Sequence, residues 1–149
     1  RLVSAMTPAP GRGPTPMTPR TPPTLPRAAV DAAVADERRR LADLIDGLTD
    51  PQWRTPSLCA AWTVRDVVAH LTLAHASPLT AAVGLIRAGG NFDRMVRDTA
   101  IRQARLPVPE LRGRLRAMVG SRRIAPFLAP IHPMIDVLCH AQDIARPLG

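Results

Sequence analysis

Lysine is missing from this chain, and all 20 basic residues are arginine. Tyrosine is missing too, and two Trp and two Phe are the only aromatic residues among 149. So few rings leave no stacking platform of the kind that single-stranded nucleic acids need. They also leave Ala, Leu and Val to fill a core, which suits packed helices better than a β-sandwich. Cysteine occurs twice, at Cys59 and Cys139, with no Cys-x-x-Cys pair. That excludes a disulfide scaffold and a cysteine-rich zinc motif, and both residues read as free thiols. No apolar run approaches the roughly 18 residues of a membrane span. The N-terminal stretch lacks the apolar centre of a secretory signal, so a cytoplasmic location is the expectation. Glycine-rich phosphate loops, a nucleophile elbow, internal repeats and strand-like alternation are also absent from the pattern.

What is present is mildly basic. The formal net charge is +8. Three arginines (Arg1, Arg12, Arg20) lie in the first 26 residues, where there are no acids. The remaining 17 arginines face 12 acids, with no stripe that would mark nucleic acid as a partner. With one asparagine in the chain, the all-arginine bias reads as the codon habit of a GC-rich genome. A small molecule, rather than nucleic acid or a membrane, is the expected partner.

Residues 1–26 hold eight of the 17 prolines and form an expected disordered tail, because such a segment cannot bury apolar surface. Residues 27–149 read as one domain. Val30, Val34, Leu41, Leu44, Ile45 and Leu48 recur at helical spacing from about Ala28 to Gly47, and the Arg38-Arg39-Arg40 run reads as a solvated face. A loop with Trp53 and Trp62 follows, the two rings pinning it to the domain. Thr63 and Asp66 then spell a capping box, with Trp62 and Val67 as its hydrophobic staple. The helix they start carries His70 and His75. Leu79–Ala88 is a short apolar segment closed by Gly89-Gly90. Asn91 caps a helix with Phe92, Met95, Val96 and Thr99 on its inner face. Pro107 opens another helix, with Leu111, Leu115, Met118 and Val119 inward. A proline-rich loop precedes the last helix, Pro133–Arg146. The sum is an all-α, up-and-down four-helix bundle.

The last helix carries the chemistry. Asp136 and His140 stand four residues apart, one turn from each other on one face. A carboxylate and an imidazole at that spacing can chelate one divalent ion, but a third ligand must come from another helix. His70 and His75 are candidates in the facing helix. Periodicity alone prefers His75, which falls near the middle of the apolar face, whereas His70 lies at its edge. His132 is a rival on the last helix, placed at its solvent-facing entrance. Asp143, three residues past His140, either orients the imidazole from behind or is a solvated carboxylate. Cys139 points away from His140 and reads as packing.

Three segments then resemble one family. ERRRLADLIDGLTDPQW, PSLCAAWTVRDVVAHL and DVLCHAQDIARPLG are similar to the metal-binding domain of mycothiol-dependent maleylpyruvate isomerases, within the DinB-like bundles. The resemblance spans roughly Ala28–Gly149 and is strongest at its two ends. It implies a metal set of His70, Asp136 and His140, with His70 rather than His75. The isomerase carries Glu where this chain has Asp136. The resemblance further implies zinc or a similar divalent ion, and mycothiol or a similar low-molecular-weight thiol as cosubstrate. The activity implied is a thiol-dependent isomerisation or thiol transfer, with no catalytic residue beyond the metal ligands assigned. Relatives usually continue past the ARPLG segment, so a bundle without that extension is the expectation. A catalytically silent metal-binding or protein-interaction bundle is the alternative, and it predicts that the three ligands do not converge.

Overall fold

The structure, a computed structural model, describes residues 25–123 and 131–149. The expected disordered tail therefore lies almost wholly outside the described residues, as does most of the proline-rich loop before the last helix. The described chain is all-α, in the order α1 (Arg27–Asp46), α2 (Asp50–Trp53), α3 (Val64–Thr72), α4 (Pro78–Arg87), α5 (Phe92–Gln103), α6 (Val108–Ala117) and α7 (His132–Ala145). Short 3₁₀ turns extend α3 through Leu73–His75 and α7 through Arg146–Leu148. Among the described residues, strand pairing is limited to one isolated bridge, Pro56 to Thr63.

Four helices close a ring. α1 packs on α6 and α7, and α3 packs on the same two from the other side. The shared core is aliphatic: Leu41, Ala42 and Ile45 from α1, Val64, Val67, Val68 and Leu71 from α3, Leu111 and Leu115 from α6, Val137, Ala141 and Ile144 from α7. α5 covers the outer side of α3, and α4 lies on α5. The apolar segment at 79–88 is thus a helix in its own right, capped by Ser77, whose Oγ accepts the Thr80 N–H at 3.1 Å. Gly84 permits the α4–α5 contact, because a Cβ there would stand 3.1 Å from Met95 Cγ and 3.2 Å from Thr99 Oγ1. Gly89 and Gly90 make the turn between them at φ +65° and +82°, a region open chiefly to glycine.

The sequence expectations fail at four side chains. Leu44 and Phe92 are exposed, Phe92 by 63%, and Ala100 and Ala104 supply the buried surface of α5 and its end instead. Cys139 is exposed rather than packed. Arg38 is 4% exposed, not part of a solvated face. It continues the buried stripe of Val34, Leu41 and Ala42, and its guanidinium donates to Met118 O and Ser121 O, both at 3.0 Å. Those carbonyls lie at and just past the end of α6, beyond its regular ladder of hydrogen bonds, and Met118 O also accepts the Ser121 N–H at 3.1 Å. Arg112 returns the service, donating to Ile45 O at 3.1 Å and Leu48 O at 2.8 Å near the end of α1. Burial without hydrogen bonds would be costly for a charge, and here carbonyl acceptors offset it.

The capping box forms as the sequence predicts. Asp66 Oδ2 accepts the Thr63 N–H at 2.9 Å, and Thr63 Oγ1 accepts the Asp66 N–H at 3.4 Å. Thr63→Ala is expected to cost about 1 kcal/mol of stability, the usual value of an N-cap. Urea unfolding checks this, and an unchanged midpoint would show that α3 is anchored by packing alone.

Candidate metal centre

α3 and α7 face each other across one side of the ring, and two histidines and a carboxylate meet there. His70 sits in the last turn of α3, while Asp136 and His140 stand one turn apart on α7. Their ligating atoms all lie within 4.8 Å of one another. Asp136 Oδ1 is 3.7 Å from His70 Nε2 and 3.5 Å from His140 Nε2. The two imidazoles meet edge to face with centroids 5.0 Å apart. Two ligands held near 2.1 Å from one tetrahedral ion stand about 3.4 Å apart. The carboxylate–imidazole separations are therefore too long for good hydrogen bonds and close to what a shared ion requires. The donor set, two imidazoles and one carboxylate, suits zinc and similar divalent ions.

Burial tends to raise the Asp136 pKa, but contact with His70 and the charges of His70, His140 and Arg38 outweigh it, leaving a net lowering. Asp136 is thus a carboxylate, ready to ligate, at neutral pH. Arg38 reaches the site only through its field, since its hydrogen bonds go to α6 and the segment after it.

The two imidazoles are held differently. His140 Nδ1 lies 2.9 Å from Asp143 Oδ2, so the carboxylate fixes the ring from behind. This is the carboxylate–histidine arrangement that orients ligands at metal sites. His70 Nδ1 is buried with no hydrogen-bond partner among the described residues. Its ring rests instead against Trp62, with centroids 5.3 Å apart and planes inclined by 52°. Trp62 therefore does more than pin the loop: it forms a wall of the site.

The loop between α2 and α3 supplies a residue that sequence reasoning missed. Cys59 Sγ lies 3.1 Å from Asp143 Oδ2 and 3.7 Å from His140 Nδ1. Cys59, His140 and Asp143 make a second group whose atoms could be ligands. Cys59 stands 84 positions from Asp143 in sequence and in no helix. Helical spacing could not reveal it. Burial, the Asp143 hydrogen bond and the Asp143 charge push its pKa up to about 11. A pKa raised on folding stabilises the fold below the ordinary thiol pKa, and that contribution fades as pH rises through about 11. At pH 8 Cys59 is then held as the thiol rather than the thiolate, the form that reacts. Alkylation at pH 8 should label exposed Cys139 first and Cys59 at least about tenfold more slowly, as read by peptide mass spectrometry. Equal rates would contradict the half-buried, hydrogen-bonded thiol.

The other histidines stand apart from these groups. His75 lies in the 3₁₀ turn after α3 and lines a cavity of about 430 Å³ with Thr72, Gln103 and Met118. Burial, then the charges of Arg38 and Arg123, lower its pKa. His132 is exposed in the first turn of α7. Neither joins a ligand group among the described residues. No helix among the described residues is long and apolar enough to cross a membrane.

The family described as "Mycothiol maleylpyruvate isomerase N-terminal domain" matches residues 34–130, close to two thirds of the chain. No curated protein and no solved structure matches. The matched stretch includes α3 with His70 and stops before α7, so the meeting of Asp136 and His140 with His70 is known from the geometry alone. On the extent of that match, and with an all-α bundle of the DinB-like kind beneath it, the chain belongs to the mycothiol maleylpyruvate isomerase N-terminal domain family.

Proposed function

We propose that this chain holds one divalent metal ion, zinc or a close equivalent, on His70, Asp136 and His140, and works on a low-molecular-weight thiol such as mycothiol in an isomerisation or thiol transfer. The convergence of the three ligand atoms within 4.8 Å carries the reading. Family membership supports the thiol, because the family is described by a mycothiol-dependent isomerase. A bound divalent ion supplies a Lewis-acidic centre that favours deprotonation of a thiol or water. The chain's own residues do the rest. His70 and His140 offer Nε2, Asp136 offers its carboxylate, and Asp143 keeps His140 turned toward them. Two neutral imidazoles and one carboxylate leave the loaded centre with net positive charge, which favours an anionic sulfur. Three protein ligands leave positions open for that sulfur, the pattern of catalytic rather than structural zinc sites. Trp62 screens one side from water.

Cobalt substitution tests this reading without a known substrate. Chelator-stripped protein loaded with Co²⁺ should bind one equivalent. Addition of mycothiol should then produce a sulfur-to-cobalt charge-transfer band. One equivalent of cobalt with no such band would leave a metal site and remove the thiol chemistry.

A further inference from the structure

Asp143 Oδ2 receives two side chains at once. His140 Nδ1 approaches at 2.9 Å and Cys59 Sγ at 3.1 Å. The Asp143 backbone carbonyl accepts a third contact, the Leu58 N–H at 3.2 Å. The loop before α3 is therefore fastened to α7 at one residue, directly behind the candidate metal ligand.

The loop holds Cys59 in place by its own bonds. The Cys59 N–H donates to Ser57 Oγ at 3.1 Å, and the Cys59 carbonyl accepts the Trp62 N–H at 3.0 Å. Ser57 Oγ donates to Trp62 O at 2.9 Å, and the Val64 N–H donates to Thr55 O at 2.9 Å. Ala61 completes the turn at φ +63°, a left-handed conformation unfavourable for a residue with a Cβ. Such strain persists only where the surroundings fix the backbone.

Two of the three edges of the Cys59–His140–Asp143 triangle are too short for ligands that share one ion, the third, sulfur to nitrogen, being 3.7 Å. The nitrogen–oxygen edge is 2.9 Å and the sulfur–oxygen edge 3.1 Å. Ligands of one tetrahedral zinc would stand about 3.4–3.6 Å apart, given zinc–ligand legs of 2.0–2.3 Å. These edges are hydrogen bonds, with the carboxylate as common acceptor.

We infer that Cys59 is a positioning residue for the proposed metal centre: its S–H holds the Asp143 carboxylate in line with His140 Nδ1, so that His140 keeps its proton on Nδ1 and presents Nε2 to the ion. This rests on the metal reading above, but half of it can be tested without metal. Outer partners of metal-bound histidines commonly change affinity by about 10–100-fold.

The experiment compares the full chain with Cys59→Ala and Cys59→Ser. Zinc affinity is measured by competition with a chromophoric chelator, and the His140 tautomer by ¹⁵N shifts of the metal-free protein at pH 8. Cys59→Ala should weaken zinc about tenfold and mix the His140 tautomers. Cys59→Ser, whose hydroxyl can donate to the same carboxylate, should restore both, while the metal-free melting temperatures of the two variants stay close together. An unchanged affinity and tautomer in Cys59→Ala, or a Cys59→Ser as impaired as Cys59→Ala, would overturn the inference. So would two zinc equivalents in the unmodified chain falling to one in Cys59→Ala, since Cys59 would then be a ligand. If the unmodified chain binds no zinc yet loses its Nδ1–H tautomer in Cys59→Ala, the metal reading fails and the positioning role stands.

Discussion

His140→Ala is expected to lose stoichiometric zinc binding. His140 is the pivot of the site: Nε2 faces Asp136, and Nδ1 is held by Asp143. Removing it leaves His70 and Asp136 on different helices, with no pair of ligands on one helix. Loss of an outer partner alone costs roughly 10–100-fold in affinity, so loss of a direct ligand should cost on the order of 100-fold or more. His70→Ala should do nearly as much damage, because it removes the ligand that α3 contributes. His75→Ala should retain the metal, since His75 lies outside the group. Metal analysis after dialysis checks all three variants. Stoichiometric zinc surviving in His140→Ala would refute the ligand set.

Trp53→Ala is expected to cost about 3–5 kcal/mol, the range for removing a large aromatic side chain from a core. Trp53 is 2% exposed and is the largest fully buried side chain. It ends α2 and packs in the cluster shared by α1, α3, α6 and α7. The Arg112 guanidinium lies 5.7 Å from its ring centroid while donating to the carbonyls that end α1. The substitution therefore leaves a cavity and also removes the ring against which Arg112 is set. For a domain of this size such a loss is a large part of total stability. Urea unfolding followed by far-ultraviolet circular dichroism measures it. A loss under 1 kcal/mol would show that the bundle closes over the gap.

The parts of this fold that were legible in the sequence are those governed by local rules. The capping box at Thr63, the Asn91 cap and the Gly89-Gly90 break each depend on a few adjacent residues, and each forms. Asp136 and His140 share a face because helix geometry requires it at a spacing of four. His70 was different: periodicity pointed to His75, and only the family resemblance singled out His70. The structure brings His70 to α7 because the site lies at the edge of the apolar stripe of α3, where a polar ligand can meet its partners while Val67 and Val68 fill the core.

Two of the errors share a cause. Arg38 read as solvated because charge normally is, yet the carbonyls at the end of α6 made a buried guanidinium tolerable. Nothing near residue 38 in the sequence announces those acceptors, which lie 80 and 83 positions away. Phe92 read as core because it is large and apolar, but at the first position of α5 it overhangs the end of the packed surface. Cys59 read as a free thiol, which it is, but its contacts with Asp143 and His140 went unread because a loop has no period from which to infer direction. For Arg38 and Cys59 the deciding contact is distant in sequence, and composition carries no trace of it.

The central claim is that His70, Asp136 and His140 hold one divalent ion, and zinc K-edge absorption of the zinc-loaded chain tests it most directly. The predicted result is one zinc per chain, with a first shell of nitrogen and oxygen near 2.0–2.2 Å and the outer scattering of two imidazoles. Substoichiometric zinc, or a sulfur ligand near 2.3 Å supplied by Cys59 or Cys139 in the absence of added thiol, would contradict it.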